Sequence, residues 1–340
     1  MRRLSRAALA ALAVLVLLSS SVRAAENTPA VAAVGAERLA AEDAAAPMQF
    51  AILADRTGGA RPGVFERAVE RVNLLAPDFV MSIGDFIEGN TEDEAVLQTQ
   101  WDEFLAIAGR IEAPLFLLPG NHDISNPTMA KVWRERFGPA YYHFVRRGVL
   151  FLCLSTEDPT RGHMSAEQAD YVARTLAENR DVRWTLIFMH QPLWRDEEEA
   201  KKEGKDAATG WPKIETLLAD RPYTLFAGHT HTYTYEERQG REYVVLATCG
   251  GASSLSGPDS GQFDHITWVT MTDRGPRIAV LPLDGIYDKR GKPEPPAEAL
   301  PPERGNGRLR PAGVERDPVG AKTGPAEPEE SALAETFGRE

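Results

Sequence analysis

The chain has 340 residues and a formal net charge of -12 at pH 7. This acidic balance argues against a nucleic-acid backbone as a general partner, because binding to such a backbone depends on phosphate neutralisation by lysine and arginine. It does not exclude a phosphate-ester substrate, since bound metal ions can supply the positive charge that such a site needs.

The first 24 residues have the pattern of a secretory signal peptide. Arg2, Arg3 and Arg6 form a basic start, an apolar run covers residues 7–18, and Ala24 ends a plausible cleavage site. The apolar run is too short and too rich in alanine to predict a stable membrane span, although an uncleaved anchor is the alternative. We therefore expect a periplasmic or secreted protein without a membrane span after signal cleavage.

Two segments differ in composition from the middle of the chain. Residues 25–47 are rich in alanine and lack strand signals, so they are predicted to form a linker. Residues 288–340 are rich in proline, glutamate, glycine and alanine. A segment of this composition buries too little apolar surface to offset chain entropy and is predicted to be a disordered tail. The folded unit is therefore expected to be one domain over residues 48–287.

Apolar runs alternate with helical patterns in the first half of this domain. Strands are predicted at residues 49–54, 78–83 and 115–118, and helices at residues 63–75 and 91–107. Thr91 and Glu94 have the spacing of a capping box at the start of the second helix. The alternation predicts three parallel strands, and ligands bind outside the carboxyl ends of such strands.

The second half contains further short strands and helices. Helices are predicted at residues 127–137, 165–176 and 214–218, a hairpin at 141–145 and 150–155, and strands at 184–189 and 224–227. Three segments, at residues 243–248, 266–272 and 277–281, suggest a second and more antiparallel sheet. The predicted fold class is α/β, with two mixed β-sheets packed as a sandwich and flanked by helices.

Five polar motifs stand where apolar runs stop. They are Asp55-Arg56-Thr57, Gly84-Asp85, Gly120-Asn121-His122-Asp123, Met189-His190 and Gly228-His229-Thr230-His231. Four of the seven histidines lie in these motifs, a concentration that surface solvation does not explain. Oxygen and imidazole are ligands that divalent and trivalent first-row metals accept. Together the motifs predict a two-metal site, which can clamp the attacking and leaving oxygens of a phosphoryl displacement.

The order of these motifs resembles that of the calcineurin-like metallophosphoesterase superfamily, over nearly the whole of the predicted domain. The family fold, a four-layer sandwich of two mixed sheets with helices outside, agrees with the pattern above. The resemblance implies two metal ions bridged by Asp85. It implies Asn121, His190 and His229 as the other ligands of one ion, and Asp55 and His231 as ligands of the other. A hydroxide held between the metals would be the nucleophile.

The resemblance also implies catalytic roles outside the ligand set. His122 would lie near the leaving-group oxygen and donate a proton to it or stabilise its charge. Asp123 would orient the His122 imidazole, as a carboxylate commonly does. Arg56 is a candidate contact to substrate phosphate, because guanidinium matches phosphate bidentately; a solvated charge at the rim is the alternative.

One expected metal ligand is missing. The family usually has Asp-x-His in the first motif, whereas this chain has Thr57 at the histidine position. A neutral hydroxyl is a poor ligand beside imidazole. Three outcomes are open: water fills the place, Thr57 ligates the ion or holds a bound water, or the first metal joins only with substrate.

We expect an active hydrolase of phosphomonoesters or phosphodiesters with a weak first site, using manganese, iron or zinc. One alternative is a non-catalytic or weakly active protein that binds metal or phosphate. Another is a hydrolase of pyrophosphate bonds.

Other features favour structural roles. Cys153 and Cys249 lie in apolar, strand-like runs and are predicted to be buried thiols, although the predicted compartment permits a disulfide. The charged segment 195–209 is predicted to be a solvated face or loop, with a lid over the site as the alternative. Trp194 and Trp211 bracket it and are predicted to be core residues. The glycine- and serine-rich segment 249–261 is a candidate loop facing the site.

Overall fold

The computed structural model describes residues 32–34 and 47–285. The predicted signal peptide, the predicted tail and most of the predicted linker lie outside these residues. Within the linker, Ala33–Val34 forms a short strand, β1, that pairs antiparallel with a strand of the domain. That stretch of sequence carries no strand signals, so the pairing of β1 was not predicted.

The first of two six-stranded sheets carries the three parallel strands that the sequence predicts. Its spatial order is β1, β4 (Leu115–Phe116), β3 (Phe79–Ser82), β2 (Met48–Leu53), β11 (His265–Thr272) and β12 (Gly275–Pro282). Strands β2, β3 and β4 are parallel, which confirms that prediction. Strands β11 and β12 extend the sheet in antiparallel pairing.

The second sheet is parallel at its centre. Its spatial order is β5 (Tyr142–Arg146), β6 (Val149–Leu154), β7 (Trp184–Met189), β8 (Tyr223–Ala227), β10 (Arg241–Val245) and β9 (Thr234–Arg238). The four central strands β6, β7, β8 and β10 pair in parallel with their neighbours, and the edge strands β5 and β9 pair antiparallel with β6 and β10.

The prediction that β10, β11 and β12 form a second, more antiparallel sheet is therefore wrong. Strand β10 pairs parallel with β8, whereas β11 pairs antiparallel with β2 in the other sheet. Alternation of apolar and polar residues identifies a strand, but it carries no information about which strand lies beside it.

Aromatic side chains hold the two sheets face to face. Phe50 of the first sheet stacks on Phe79 at a ring-centroid distance of 5.0 Å and meets Phe151 and Phe188 of the second sheet at 5.5 and 6.5 Å. Alternate residues of β6, including Leu152, belong to a separate buried cluster on the opposite face of the second sheet. Because both faces of the central strands are covered, these strands are apolar throughout.

Seven helices among the described residues flank the sheets. They are α1 (Val64–Leu75), α2 (Glu94–Ala108), α3 (Asn121–Ile124), α4 (Pro127–Phe137), α5 (Ala166–Glu178), α6 (Leu193–Lys202) and α7 (Trp211–Leu217). The predicted capping box of α2 is wrong, because the side chain of Asp93 caps the helix by accepting from the amides of Ala95 and Val96. Ser165 caps α5 by accepting from the amide of Gln168.

Helix α6 occupies much of the charged segment for which the sequence predicts a solvated face or loop. It forms because Leu193 and Trp194 are fully buried at its start. Its charged side chains bind β9: Arg195 pairs with Glu236, and Glu198 with Arg238. Helix α6 therefore packs along the second sheet, and these contacts do not support the alternative of a lid. Trp194 and Trp211 are core residues, as predicted.

The two cysteines are free and buried, as the favoured prediction states. Burial raises the pKa of both thiols to about 12, so they are unreactive at neutral pH. Among residues 32–34 and 47–285, we find no helix with the length and apolar character needed to cross a bilayer.

Candidate metal centre

All six predicted metal ligands follow strands that end on one side of the sandwich. Asp55, Asp85 and Asn121 follow β2, β3 and β4 in the first sheet; His190 follows β7, and His229 and His231 follow β8 in the second. The structure brings five of these side chains into two overlapping groups. Asp85, His190 and His229 form one, and Asp55, Asp85 and His231 form the other, with the potential ligand atoms of each group within 4.8 Å. Asp85 belongs to both groups.

The loops that carry these groups have unusual backbone geometry. Asp55, Asp85, His229 and His231 all have positive φ, between 43° and 71°, which is uncommon for residues other than glycine, although aspartate and histidine adopt it more often than most. Gly120 must lack a side chain, because a Cβ there would lie 2.3 Å from Asp85 Oδ1. The backbone therefore turns the two acids and two histidines toward a common centre.

His190 anchors the first group. Its Nδ1–H donates to the Ile83 carbonyl at 2.7 Å, so Nε2 faces the centre. Three acceptor atoms, Asp85 Oδ2, Asn121 Oδ1 and His229 Nδ1, each lie 3.2 Å from this nitrogen. Burial disfavours a charged His190, yet the Asp85 carboxylate raises its pKa to about 10. The surroundings of this nitrogen therefore attract a cation strongly.

The surroundings of His229 keep its imidazole neutral. Burial and the neighbouring His190 lower the pKa of His229 to about 3. Its Nδ1 lone pair is therefore available as a ligand at neutral pH. Asn121 Oδ1 lies 3.2 Å from His190 Nε2, beside the group of Asp85, His190 and His229. This position agrees with the metal-ligand role that the resemblance implies for Asn121.

Asp55 and His231 form the other half of the centre with Asp85. Asp55 is fully buried; its Oδ1 accepts from the His229 amide at 3.0 Å and lies 3.5 Å from His231 Nε2. Its Oδ2 has no hydrogen-bond partner among the described residues. His231 Nδ1–H donates to the Ala252 carbonyl at 2.6 Å, which turns Nε2 toward Asp55. An unpaired buried carboxylate oxygen is costly, so this half fits a cation.

The donor set therefore fits two metal ions that share Asp85. Carboxylate oxygen and imidazole nitrogen are the right chemistry for first-row metals. His190 and His231 each donate the ring N–H that faces away from the centre to a backbone carbonyl, an arrangement typical of metal-ligating histidine.

Thr57 lies outside both ligand groups. Its side chain is fully buried and lies beside the Glu88 carboxylate, without a well-aligned hydrogen bond. Glu88 accepts from the amides of Gly59 at 3.1 Å and Ala60 at 2.7 Å. Burial opposes ionisation of Glu88, but Thr57 and these amides lower its pKa. Sequence reasoning missed Glu88, because it follows no strand end.

His122 lies at the centre with one ring nitrogen committed to the backbone. Its amide donates to Asp85 Oδ1 at 2.9 Å. Its Nδ1–H donates to the Glu88 carbonyl at 2.8 Å, so Nε2 is the free ring nitrogen. A Cβ built on Gly58 would lie within 3.5 Å of both His122 Nε2 and His231 Nε2, so these two nitrogens share one side of the centre.

The prediction that Asp123 orients the His122 imidazole is wrong. The Asp123 carboxylate is fully buried and accepts four backbone N–H bonds. The donors are the amides of Asp85 at 2.8 Å, Gly120 at 2.8 Å, Phe86 at 2.9 Å and Ile87 at 3.3 Å. Both residues lie in α3, where consecutive side chains point in directions about 100° apart, so Asp123 turns inward as His122 faces the centre.

The prediction that Arg56 contacts substrate phosphate is also not supported. Its guanidinium donates to the Phe86 carbonyl at 2.6 Å and lies 5.9 Å from the centre of the Phe65 ring. Burial lowers the pKa of Arg56, so the alternative of a solvated rim charge fails as well. Arg56 instead ties the loop after β2 to the loop after β3.

Two cavities differ in their relation to the ligand groups, because ligand residues line one of them and not the other. One, of about 480 Å³, is polar and includes His229, His231 and Ser253 in its lining. Its lining from residues 252–254 confirms that the 249–261 segment faces the site. The other, of about 600 Å³, is lined by aromatic residues and by Glu157. Glu157, a buried carboxylate that follows β6, belongs to none of the polar motifs by which the site was predicted.

Comparison with known proteins adds evidence of ancestry. The family model described as calcineurin-like phosphoesterase matches residues 48–233. Serine/threonine-protein phosphatase CPPED1 of Homo sapiens is 25% identical over 201 residues, covering 54% of this chain and 64% of the relative. The 3',5'-cyclic adenosine monophosphate phosphodiesterase CpdA of Haemophilus influenzae is 26% identical over 184 residues, covering 50% and 60%. The chain thus spans less than two thirds of the length of these curated relatives.

Solved structures share the fold at low identity. Purple acid phosphatase PPD1 from yellow lupin (Lupinus luteus) matches with a TM-score of 0.56 and 17% identity, over 72% of this chain and 53% of that one. GAP50, described as the anchor in the inner membrane complex of Plasmodium, matches with a TM-score of 0.50 and 14% identity, over 71% and 87%. These likenesses show the fold alone, and a fold does not by itself determine function.

Substitution of Asp123 tests its role at the backbone. Asp123→Ala leaves four buried N–H groups without their acceptor, and each unsatisfied group costs about 1–3 kcal/mol. We expect a lower melting temperature and loss of bound metal, whereas His122→Ala keeps both near the wild-type values. Thermal unfolding and metal analysis measure these effects. An Asp123→Ala protein as stable and as metal-loaded as His122→Ala would contradict the backbone role.

Proposed function

The chain belongs to the calcineurin-like phosphoesterase family, and on this premise we propose that it is an exported, metal-dependent phosphohydrolase of phosphomonoesters or phosphodiesters. The observation that carries the proposal is the pair of ligand groups that share Asp85. Two ions held in this way can act on both oxygens of an in-line phosphoryl displacement.

The metal ligands divide between the two halves of the centre. Asp85, Asn121, His190 and His229 would hold one ion, and Asp85, Asp55 and His231 the other. When bound, the ions supply positive charge to the phosphoryl oxygens and activate water. Manganese, iron and zinc all suit this donor set. Thr57 adds no ligand, so the ion held by Asp55 and His231 would bind more weakly than the ion held by His190 and His229.

His122 would assist the leaving group. The Glu88 carbonyl accepts its Nδ1–H, which leaves Nε2 free to give a proton to the departing oxygen or to stabilise its charge. The His122 Nε2 lies on the same side of the centre as His231 Nε2. Asp123 supports the reaction indirectly, because it holds the amides of Asp85 and Gly120 in place.

The names of the relatives support ester hydrolysis but not one substrate. One is a serine/threonine-protein phosphatase and another a cyclic-nucleotide phosphodiesterase, so the two differ in the ester they cleave. The polar cavity of about 480 Å³ beside His229 and His231 suits a small phosphate ester. The rival function, a non-catalytic protein that binds metal or phosphate, is favoured by Thr57 at the position of the family's histidine.

Titration of metal-stripped protein with Mn²⁺ tests the proposal. We expect hydrolysis of a chromogenic monoester or diester to rise as the second equivalent binds. Asp85→Ala and the milder Asp85→Asn lose tight metal binding and turnover, because both groups share this carboxylate. His122→Ala keeps the metal but loses roughly 10²- to 10⁴-fold in turnover, the usual contribution of a general acid.

His143→Ala is the matched control, since this half-buried histidine on β5 lies outside both ligand groups. Wild-type protein that binds metal and hydrolyses neither ester would favour the non-catalytic rival. Undiminished turnover by Asp85→Asn at saturating Mn²⁺ would contradict the proposed centre.

Thr57 is tested by an isosteric change and a restored ligand. Thr57→Val conserves the buried volume and removes the hydroxyl, and we expect metal stoichiometry and turnover to stay near wild type. Thr57→His adds an imidazole at the weaker site and should move Mn²⁺ activation to lower concentration. Loss of the second equivalent in Thr57→Val would instead identify Thr57 as a ligand.

Export is supported by the basic start, the apolar run and the cleavage site of residues 1–24. Expression of the full chain in a Gram-negative host, followed by fractionation and N-terminal sequencing, provides the test. We expect a periplasmic product that begins close to residue 25. An intact chain in the cytoplasmic fraction would contradict export.

A further inference from the structure

We propose that Arg161 binds a phosphoryl oxygen of the substrate and thereby favours phosphomonoesters over phosphodiesters. The inference rests on the proposed phosphohydrolase function and deepens it. Arg56, the arginine that the sequence suggested for this task, is held by the Phe86 carbonyl. Arg161 offers the same chemistry from another loop, which joins β6 to α5.

The backbone around Arg161 is held firmly in place. The Thr156 carbonyl accepts from the amides of Gly162 at 2.8 Å and His163 at 3.1 Å. The Asp158 amide donates to the His163 carbonyl at 3.1 Å. His163 Nδ1 lies 2.9 Å from the Arg161 carbonyl itself. The loop thus presents the Arg161 side chain from a fixed base, which lowers the ordering cost of binding a ligand.

This loop lies against the half of the centre that contains His190. The amide of Gln191, the residue after His190, donates to Thr156 Oγ1 at 3.2 Å. A Cβ built on Gly162 would lie 3.9 Å from Gln191 Oε1. These contacts associate the loop that carries Arg161 with this half.

The Arg161 guanidinium is available to a ligand. Arg161 is exposed, and we find no ion pair or hydrogen bond of its guanidinium within the described part of the chain. The nearby Glu157 accepts from the Gln191 side chain through Oε1, and its Oε2 has no hydrogen-bond partner among the described residues, so Glu157 forms no hydrogen bond with Arg161. A guanidinium fork suits phosphoryl oxygens in both charge and geometry.

The position of Arg161 relative to His122 suggests which oxygen it binds. His122 shares its side of the centre with His231, whereas the loop that carries Arg161 lies against Gln191, the residue after His190. If the leaving group faces His122, the unesterified oxygens face the other half. A monoester has one more unesterified oxygen than a diester, so it keeps an oxygen for Arg161 after both metal ions are satisfied. The expected preference follows from this difference.

Three variants test the proposal: Arg161→Ala, Arg161→Lys and the control Arg180→Ala. Arg180 is also exposed but precedes β7, at the end of that strand opposite His190. The measurements are kcat/KM for 4-nitrophenyl phosphate and bis(4-nitrophenyl) phosphate at saturating Mn²⁺, the calorimetric affinity for inorganic phosphate, and metal content.

We expect Arg161→Ala to lower kcat/KM for the monoester by roughly 10- to 100-fold, as loss of a charge-assisted hydrogen bond does. Phosphate affinity falls in parallel, the diester changes much less, and metal content is unchanged. Arg161→Lys recovers part of the loss, because it restores the charge without the fork. Arg180→Ala behaves as wild type.

Three results would overturn the inference. In the first, Arg161→Ala behaves like Arg180→Ala on both the monoester and inorganic phosphate. In the second, Arg161→Ala loses metal. In the third, it loses monoester and diester activity equally. In the first and third cases a wild type that still hydrolyses esters leaves the proposed function standing. If the wild type hydrolyses neither ester, the proposed function fails, and the phosphate affinities of wild type and Arg161→Ala decide the role of Arg161 alone.

Discussion

The site depends on placing two carboxylates, Asp55 and Asp85, in a buried space where their charge must be compensated. Burial alone would raise the pKa of Asp85, but His190 lowers it to about 2. Asp55 keeps one oxygen with no hydrogen-bond partner among the described residues. Burial raises the pKa of Asp55, and positive charge nearby favours the ionised form that can act as a ligand, which is consistent with the convergence of imidazoles and acids here.

The sandwich meets this requirement by bringing the ends of strands from both sheets to one place. Aromatic contacts such as Phe50 with Phe151 hold the sheets together, and the loops that follow the central strands then face each other. Backbone carbonyls complete the centre, because those of Ile83 and Ala252 accept the outward N–H of His190 and His231. The scaffold therefore sets both the position and the protonation of its ligands.

Family membership and function rest on different observations. The matched family model and the fold establish ancestry, but a protein described as an anchor has the same fold. The case for hydrolysis rests instead on the shared ligand Asp85 and on the free ring nitrogen of His122. Thr57 is where this chain departs from the family, and its hydroxyl lies against Glu88 rather than among the ligand atoms. The departure therefore leaves one half of the centre without the family's histidine, while the two ligand groups that share Asp85 are present.

The sequence by itself determined the features that depend on local pattern. Parallel β2, β3 and β4, helix α4, and the polar motifs at strand ends all follow from apolar periodicity and from the residues at which it stops. The directions of Arg56 and Asp123, the sheet to which β11 belongs, and the contacts of Glu88 depend on the tertiary structure. A motif states which groups lie at a strand end, but the nearest carbonyl, amide or charge determines where each side chain points, and those neighbours come from distant parts of the chain.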